Sequence, residues 1–156
     1  MSRRAGFMLV ELLAAAAVIC VISGAALVAF SEGPDERRVV RDEAENLRSW
    51  LMSRMEEAAR ENCGFKLIPI FIGMQASELK LEWRGGARDL ESEFYSAERA
   101  DLERVSLAKE YTFDGEWFTL TPAASFIIRS RRDPSIRLIV TASGTGYADV
   151  KETLED

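Results

Sequence analysis

The sequence predicts an α+β protein: a long N-terminal helix, its first half apolar throughout and its second half amphipathic, packed on a mainly antiparallel β-sheet. Three observations carry that expectation. Residues Phe7 to Phe30 form an apolar run whose one charge is Glu11. Between Asp35 and Asn62, the residues Val40, Ala44, Leu47, Leu51, Met55 and Ala58 recur at spacings of three and four, the stripe of a helix with one buried face. From Phe65 onward the period changes to two, the alternation of half-buried strands.

The first element, 7–30, is roughly 36 Å long as a helix, enough to cross a hydrocarbon core of about 30 Å. Arg3 and Arg4 precede it, while Glu32, Asp35 and Glu36 follow. Cationic flanks stay in the cytoplasm, so the N-terminus is expected inside and the remainder exported. A carboxylate near the centre of such a run costs about 2.5–3.5 kcal/mol. Glu11 is therefore a functional hypothesis whose partner has to be named. Gly33-Pro34 interrupts the pattern, and Ser31 or Asp35 is placed to cap a renewed helix with Pro34 near its first turn.

The second element, 31–63, continues as an amphipathic helix. Its polar faces carry Arg41, Asp42, Glu45, Arg48, Glu56, Glu57 and Arg60, expected to be solvated. Cys63-Gly64 ends it, with Gly64 suited to a left-handed cap. The remainder, 64–156, reads as an exported β domain of six or seven strands. Phe65 to Ile72 is a nearly continuous apolar strand in which Pro69 points to an edge or a bulge. Leu79, Leu81 and Trp83 alternate with charged residues up to Gly85-Gly86. The charged stretch Ala87 to Arg104 is read as a loop, with Phe94 and Tyr95 exposed for a partner and a short helix over 97–102. Val105 to Phe113 is read as strand, and Asp114-Gly115 as a tight hairpin before Trp117 to Leu120. Strands then follow at 125–129, 136–141 and 147–150, with turns at 131–134 and 143–146. Neither the helix stripe nor one sheet face can bury its apolar side alone, so each is expected to cover the other.

Composition excludes several functions. The 156-residue chain carries 20 basic and 26 acidic residues, a net charge of −6. That acidity argues against nucleic acid or anionic lipid as a partner of the whole surface. With no histidine, Ser-His-Asp catalysis and His-ligated zinc are ruled out. The two cysteines, Cys20 in the apolar run and Cys63 at the end of the helix, lie too far apart along a helix for a disulfide. Both are read as lone thiols, with Cys20 buried. No nucleophile–base pair is legible and no metal or other cofactor is expected. Scattered carboxylates such as Glu91 and Glu93 lack calcium-loop spacing, and Ser143-Gly144-Thr145-Gly146 precedes a strand where a phosphate loop would precede a helix.

The N-terminus has a more specific pattern: a basic leader Met1-Ser2-Arg3-Arg4-Ala5, then Gly6-Phe7-Met8-Leu9-Val10-Glu11, then the long apolar run. This resembles the processing site of type IV pilin-like proteins, the pilins and pseudopilins. The resemblance implies removal of a 1–6 leader by prepilin peptidase between Gly6 and Phe7, and N-methylation of Phe7. Without Arg3 and Arg4 the mature chain would carry −8, 18 basic against 26 acidic. The resemblance also implies that Glu11 pairs with the terminal amine of a neighbouring subunit during assembly. Met8 and Val10 replace residues that family members often carry as Thr and Ile, and both replacements are apolar. The layout is most similar to H-type minor pseudopilins of type II secretion and to FimT-like minor pilins. Residues Ile136 to Gly144 and Tyr147 to Val150 look like the closing strands of those domains.

The expected function is that of a non-enzymatic structural subunit of a pilus-like or type II secretion filament. Its implied partners are other pilin or pseudopilin subunits, prepilin peptidase and an inner-membrane assembly platform. Two alternatives stay open. One is a DNA-uptake or adhesive minor pilin, for which Arg129, Arg131, Arg132 and Arg137 around one hairpin would form a phosphate-contact patch. The other is a β domain released by a conventional signal peptidase, whose signals usually carry an apolar core of about 7–15 residues.

Overall fold

The computed structural model describes residues 12–23, 35–72, 75–85, 91–105 and 108–152. The chain divides into two compact units, Met1–Asp35 and Glu36–Asp156. In the first, residues 12–23 are helical (α1). The second holds helix α2 (Glu36–Arg60) and nine strands: β1 (Gly64–Ile72), β2 (Gln75–Arg84), β3 (Glu93–Tyr95), β4 (Ala100–Arg104), β5 (Tyr111–Asp114), β6 (Thr119–Thr121), β7 (Ala124–Ser130), β8 (Arg137–Ala142) and β9 (Ala148–Glu152).

Helix α2 starts directly after Asp35, one of the two residues, with Ser31, read as its cap. Its buried residues are Val39, Val40, Glu43, Ala44, Leu47, Leu51, Met55 and Ala58, the predicted stripe with one carboxylate added. The helix ends in a Schellman arrangement: Cys63 N–H donates to Ala58 O at 2.9 Å and Asn62 N–H to Ala59 O at 3.2 Å. The left-handed residue of that cap is Asn62, at φ 49°, and Gly64 instead opens β1. A Cβ on Gly64 would lie 2.6 Å from Phe113 O, so the glycine is there for the close approach of β5.

All strand pairings are antiparallel, in the order β6-β5-β1-β2-β4-β7-β8-β9, with β3 also on β2. Inward-facing residues alternate as expected: Phe65 and Leu67, Leu79 and Leu81, Phe126 and Ile128, Val140 and Ala142. Together with the α2 stripe they form one core. The strand order curls back on itself, because Leu120 N–H of β6 donates to Gly144 O in the turn after β8 at 3.1 Å. The sheet thus wraps around α2. Pro69 is buried in β1 two residues beyond the end of the β5 pairing at Leu67, and the register shifts just after it, between Ile70 and Phe71. Both devices read from the sequence, a local edge and a bulge, are found together.

Three local expectations are corrected. Residues 100–104 form a strand where a short helix over 97–102 was predicted; Ala100 and Leu102 point inward on β7, between outward Asp101 and Glu103. High charge density concealed that alternation. The stretch 105–113 is not one strand, since β4 ends at Arg104 and β5 begins at Tyr111. The Asp114-Gly115 hairpin is a longer turn, with Asp114 paired to Thr119 across residues 115–118. It closes as it does because Asp114 Oδ1 accepts the amides of Glu116 (2.9 Å) and Trp117 (3.2 Å).

Candidate functional site

Helix α1 is apolar on every side and covered on none. Leu12, Leu13, Val18, Ile19, Val21 and Ile22 are all exposed, with Leu12 at 73% and Val21 at 72%. Cys20, expected to be buried, is exposed in the chain alone, and both Cys20 and Cys63 are free thiols. Burying one large aliphatic side chain is worth about 1.5–3 kcal/mol, so a helix left bare to water on all faces is costly. Among the described residues no helix is long and apolar enough to cross a membrane; α1 is described over 12–23. The residues of the expected processing and assembly site, Arg3, Arg4, Gly6, Phe7 and Glu11, lie outside the described residues.

In the second unit, polar contacts tie the sheet to α2 at intervals along the helix. Glu36 at the helix start accepts from Ser130 Oγ at 2.6 Å. Two turns further, Glu43 is 3% exposed. Its Oε1 accepts the Arg99 amide at 2.9 Å, and the Arg99 guanidinium lies 3.6 Å away. Tyr95 donates to the Glu43 carbonyl at 3.3 Å and packs its ring, tilted by 37°, against Trp50, ring centroids 5.2 Å apart. Burial, then the charges of Glu43 and Glu98, push the Tyr95 phenol well above its ordinary pKa. Arg54 bonds Glu57 and reaches Glu93 at 3.3 Å. The segment expected to be a partner-binding loop is therefore fastened to the helix over 93–99. Phe94 is exposed and Tyr95 is not.

Arg48, read as a solvated helix residue, donates through Nε to Ala148 O at 3.1 Å, and Met52 Sδ accepts the Ala148 amide at 3.3 Å. These contacts occupy the outer edge of β9. Asp149 Oδ1 takes the Val150 amide, and Glu152 pairs with Arg41.

The arginine cluster is brought together and largely neutralised. Arg129 meets Glu103 at 2.9 Å, Arg131 meets Asp101 at 3.1 Å and Arg132 meets Glu36 at 3.3 Å. Arg131 further donates to the carbonyls of Ala97, Glu98 and Ala100, so it staples the β3–β4 connection. Arg137 is exposed and is likewise engaged in contacts. Among the described residues no group of three or more His, Cys, Asp or Glu is placed to hold a metal ion.

Sequence reasoning missed Glu43, Arg48 and the exposed Trp117 and Tyr147. The first had a signal, since position 43 lies on the stripe between Val40 and Leu47. The aromatics had none, because exposure at a turn depends on which neighbour turns inward.

No protein-family model matches the chain, and no curated protein is similar to it by sequence. The Pseudomonas aeruginosa type IV minor pilin FimU matches in structure in two crystal forms. One superposes with a TM-score of 0.55 at 16% identity, covering 72% of this chain and 92% of that one. The other gives 0.56 at 18% identity, covering 75% and 91%. The chain has a type IV pilin-like fold, an N-terminal helix packed on antiparallel sheet.

Proposed function

We propose that the chain is a minor subunit of a type IV pilus-like or type II secretion filament, a structural protein that catalyses nothing. The observation that carries this reading is the pairing of a pilin-like head with a helix, α1, whose apolar side chains are exposed all round. Such a helix is stable in a bilayer before assembly and among other subunits' helices after it. In this reading the chain sits in the inner membrane with its N-terminus in the cytoplasm and its sheet domain exported. Prepilin peptidase cuts between Gly6 and Phe7, Phe7 is N-methylated, and an assembly platform draws the subunit into the filament. Glu11 then pairs with the Phe7 amine of the adjacent subunit, offsetting the cost of its burial. The acidic partners of Arg129, Arg131 and Arg132 favour a structural over a DNA-binding use of that turn.

Mass spectrometry of the mature N-terminus tests the processing step: methylated Phe7 supports it, whereas a start near Glu32 means a secreted domain freed by a conventional signal peptidase. Glu11→Ala is expected to leave leader cleavage intact and to reduce incorporation into filaments at least about tenfold, since removing one partner of a buried ion pair costs about 3–5 kcal/mol. Normal incorporation of that variant, scored on sheared filaments, rules the pairing out.

A further inference from the structure

We propose that Trp117 and Tyr147 form a docking platform for another protein subunit, one that sets an arginine or lysine against the exposed rings. The proposal rests on the filament reading above and adds to it the chemistry of the partner. Trp117 is 72% exposed and Tyr147 53%. Tryptophan and tyrosine are the residues most often found at the energetic centre of protein interfaces.

Both are held by rigid turns. The Asp114 carboxylate accepts the Trp117 amide itself together with that of Glu116. Gly115 beside it is wedged under α2, where a Cβ would lie 2.0 Å from Cys63 O and 2.7 Å from Ala58 O. Phe118, at a left-handed φ of 50°, turns its ring inward edge-on to Phe113 and leaves Trp117 outside. At the other turn, Ser143 N–H donates to Tyr147 O at 2.8 Å and Tyr147 N–H to Ser143 Oγ at 3.2 Å. The two turns touch: a Cβ on Gly146 would meet the Phe118 ring at 2.5 Å and its carbonyl oxygen at 2.7 Å. The residue after Trp117 is thus packed on the residue before Tyr147, and the two aromatics stand on one locked corner.

Charge selects the partner. Asp114 and Glu116 precede Trp117, and Asp149 lies two residues after Tyr147, all three exposed. Gly115 seats the corner on the last turn of α2, the negative end of the helix dipole. The nearby cations have acidic partners: Arg48 pairs with Glu45 at 3.2 Å, Arg54 bonds Glu57, and Arg60 lies 3.7 Å from Glu61. An acidic rim repels anionic lipid and nucleic-acid phosphate alike. It attracts a guanidinium or ammonium group, for which the indole face is the best of the aromatic acceptors.

The test is calorimetric titration of the full chain in neutral detergent micelles with an octapeptide alternating arginine and glycine. The expected result is saturable binding, weaker by at least about tenfold for Trp117→Ala, for Glu116→Lys, and for a peptide with glutamate in place of arginine. Unchanged urea midpoints for both variants exclude unfolding as the cause. Equal affinity of the Trp117→Ala chain overturns the proposal, as does equal binding of the glutamate peptide. Self-association without peptide that Trp117→Ala abolishes would assign the corner to a second copy and overturn it too. The filament reading fails on different measurements, the mature N-terminus and Glu11→Ala incorporation, which the titration does not touch.

Discussion

Glu43 is the residue on which the α2 face depends most. A carboxylate enclosed by the sheet is tolerated because its Oε1 takes the Arg99 amide and the Arg99 guanidinium lies 3.6 Å away. Glu43→Ala leaves the Arg99 amide without its acceptor and is expected to cost about 2–3 kcal/mol in urea unfolding. Glu43→Gln keeps an acceptor oxygen and is expected to cost less than half of that. Two other buried groups give a pH signature. Desolvation, then Glu61 and Glu57, raise the Cys63 thiol, while burial and its acidic neighbours raise the Tyr95 phenol. Both folded values lie above the unfolded ones, about 8.5 for cysteine and 10 for tyrosine. Their contribution to stability is complete below those values and is lost as pH rises through the folded ones. Urea midpoints are therefore expected to hold level from pH 7 to 8 and to fall above about pH 9.

Among elements, α2 was the most legible in the sequence and β4 the least. The α2 stripe follows from spacing alone, because one helix face has to meet one sheet. Strand β4 was hidden because its alternation runs through Ala100, Asp101, Leu102 and Glu103, where charges on the outer face outweigh two inward apolar side chains. The β5–β6 turn was visible as a turn, but its length was set by the Asp114 carboxylate and by the approach of Gly115 to α2, which spacing does not encode. That approach allows a test. Gly115→Ala places a methyl within 2.0 Å of Cys63 O. A loss of about 3 kcal/mol or more is expected in chemical unfolding, at the upper end for overpacked sites. A loss below about 1 kcal/mol would mean that the turn and the helix end separate easily.

At the scale of the whole molecule, the 36–156 unit has its own core, with Leu47, Leu51 and Met55 of α2 set among Phe65, Phe126 and Val140. Expressed alone, it is expected to unfold in a single transition, with tryptophan fluorescence from Trp50 and Trp83 coinciding with circular dichroism. Two separate transitions would show that α2 is not part of that core. Of the candidate site, the motif around Gly6, Phe7 and Glu11 is a linear pattern, a short string beside a long apolar run, and it lies outside the described residues. The corner at Trp117 and Tyr147 was not legible, because two turns 30 residues apart in sequence build it.

The fastenings between α2 and the sheet have a mechanical consequence. Bonds at Glu36, Glu43, Arg48 and Arg54 reach β7, the β3–β4 connection, β9 and β3 in that order, and at Ala58 the β5–β6 turn packs closely through Gly115. A pull directed along the helix axis therefore loads these bonds side by side, in shear, across strands from both ends of the sheet. No single strand can be unzipped first. A head built this way resists tension along its helix far better than a sheet attached at one margin, and it would let go only when the whole seam slips at once.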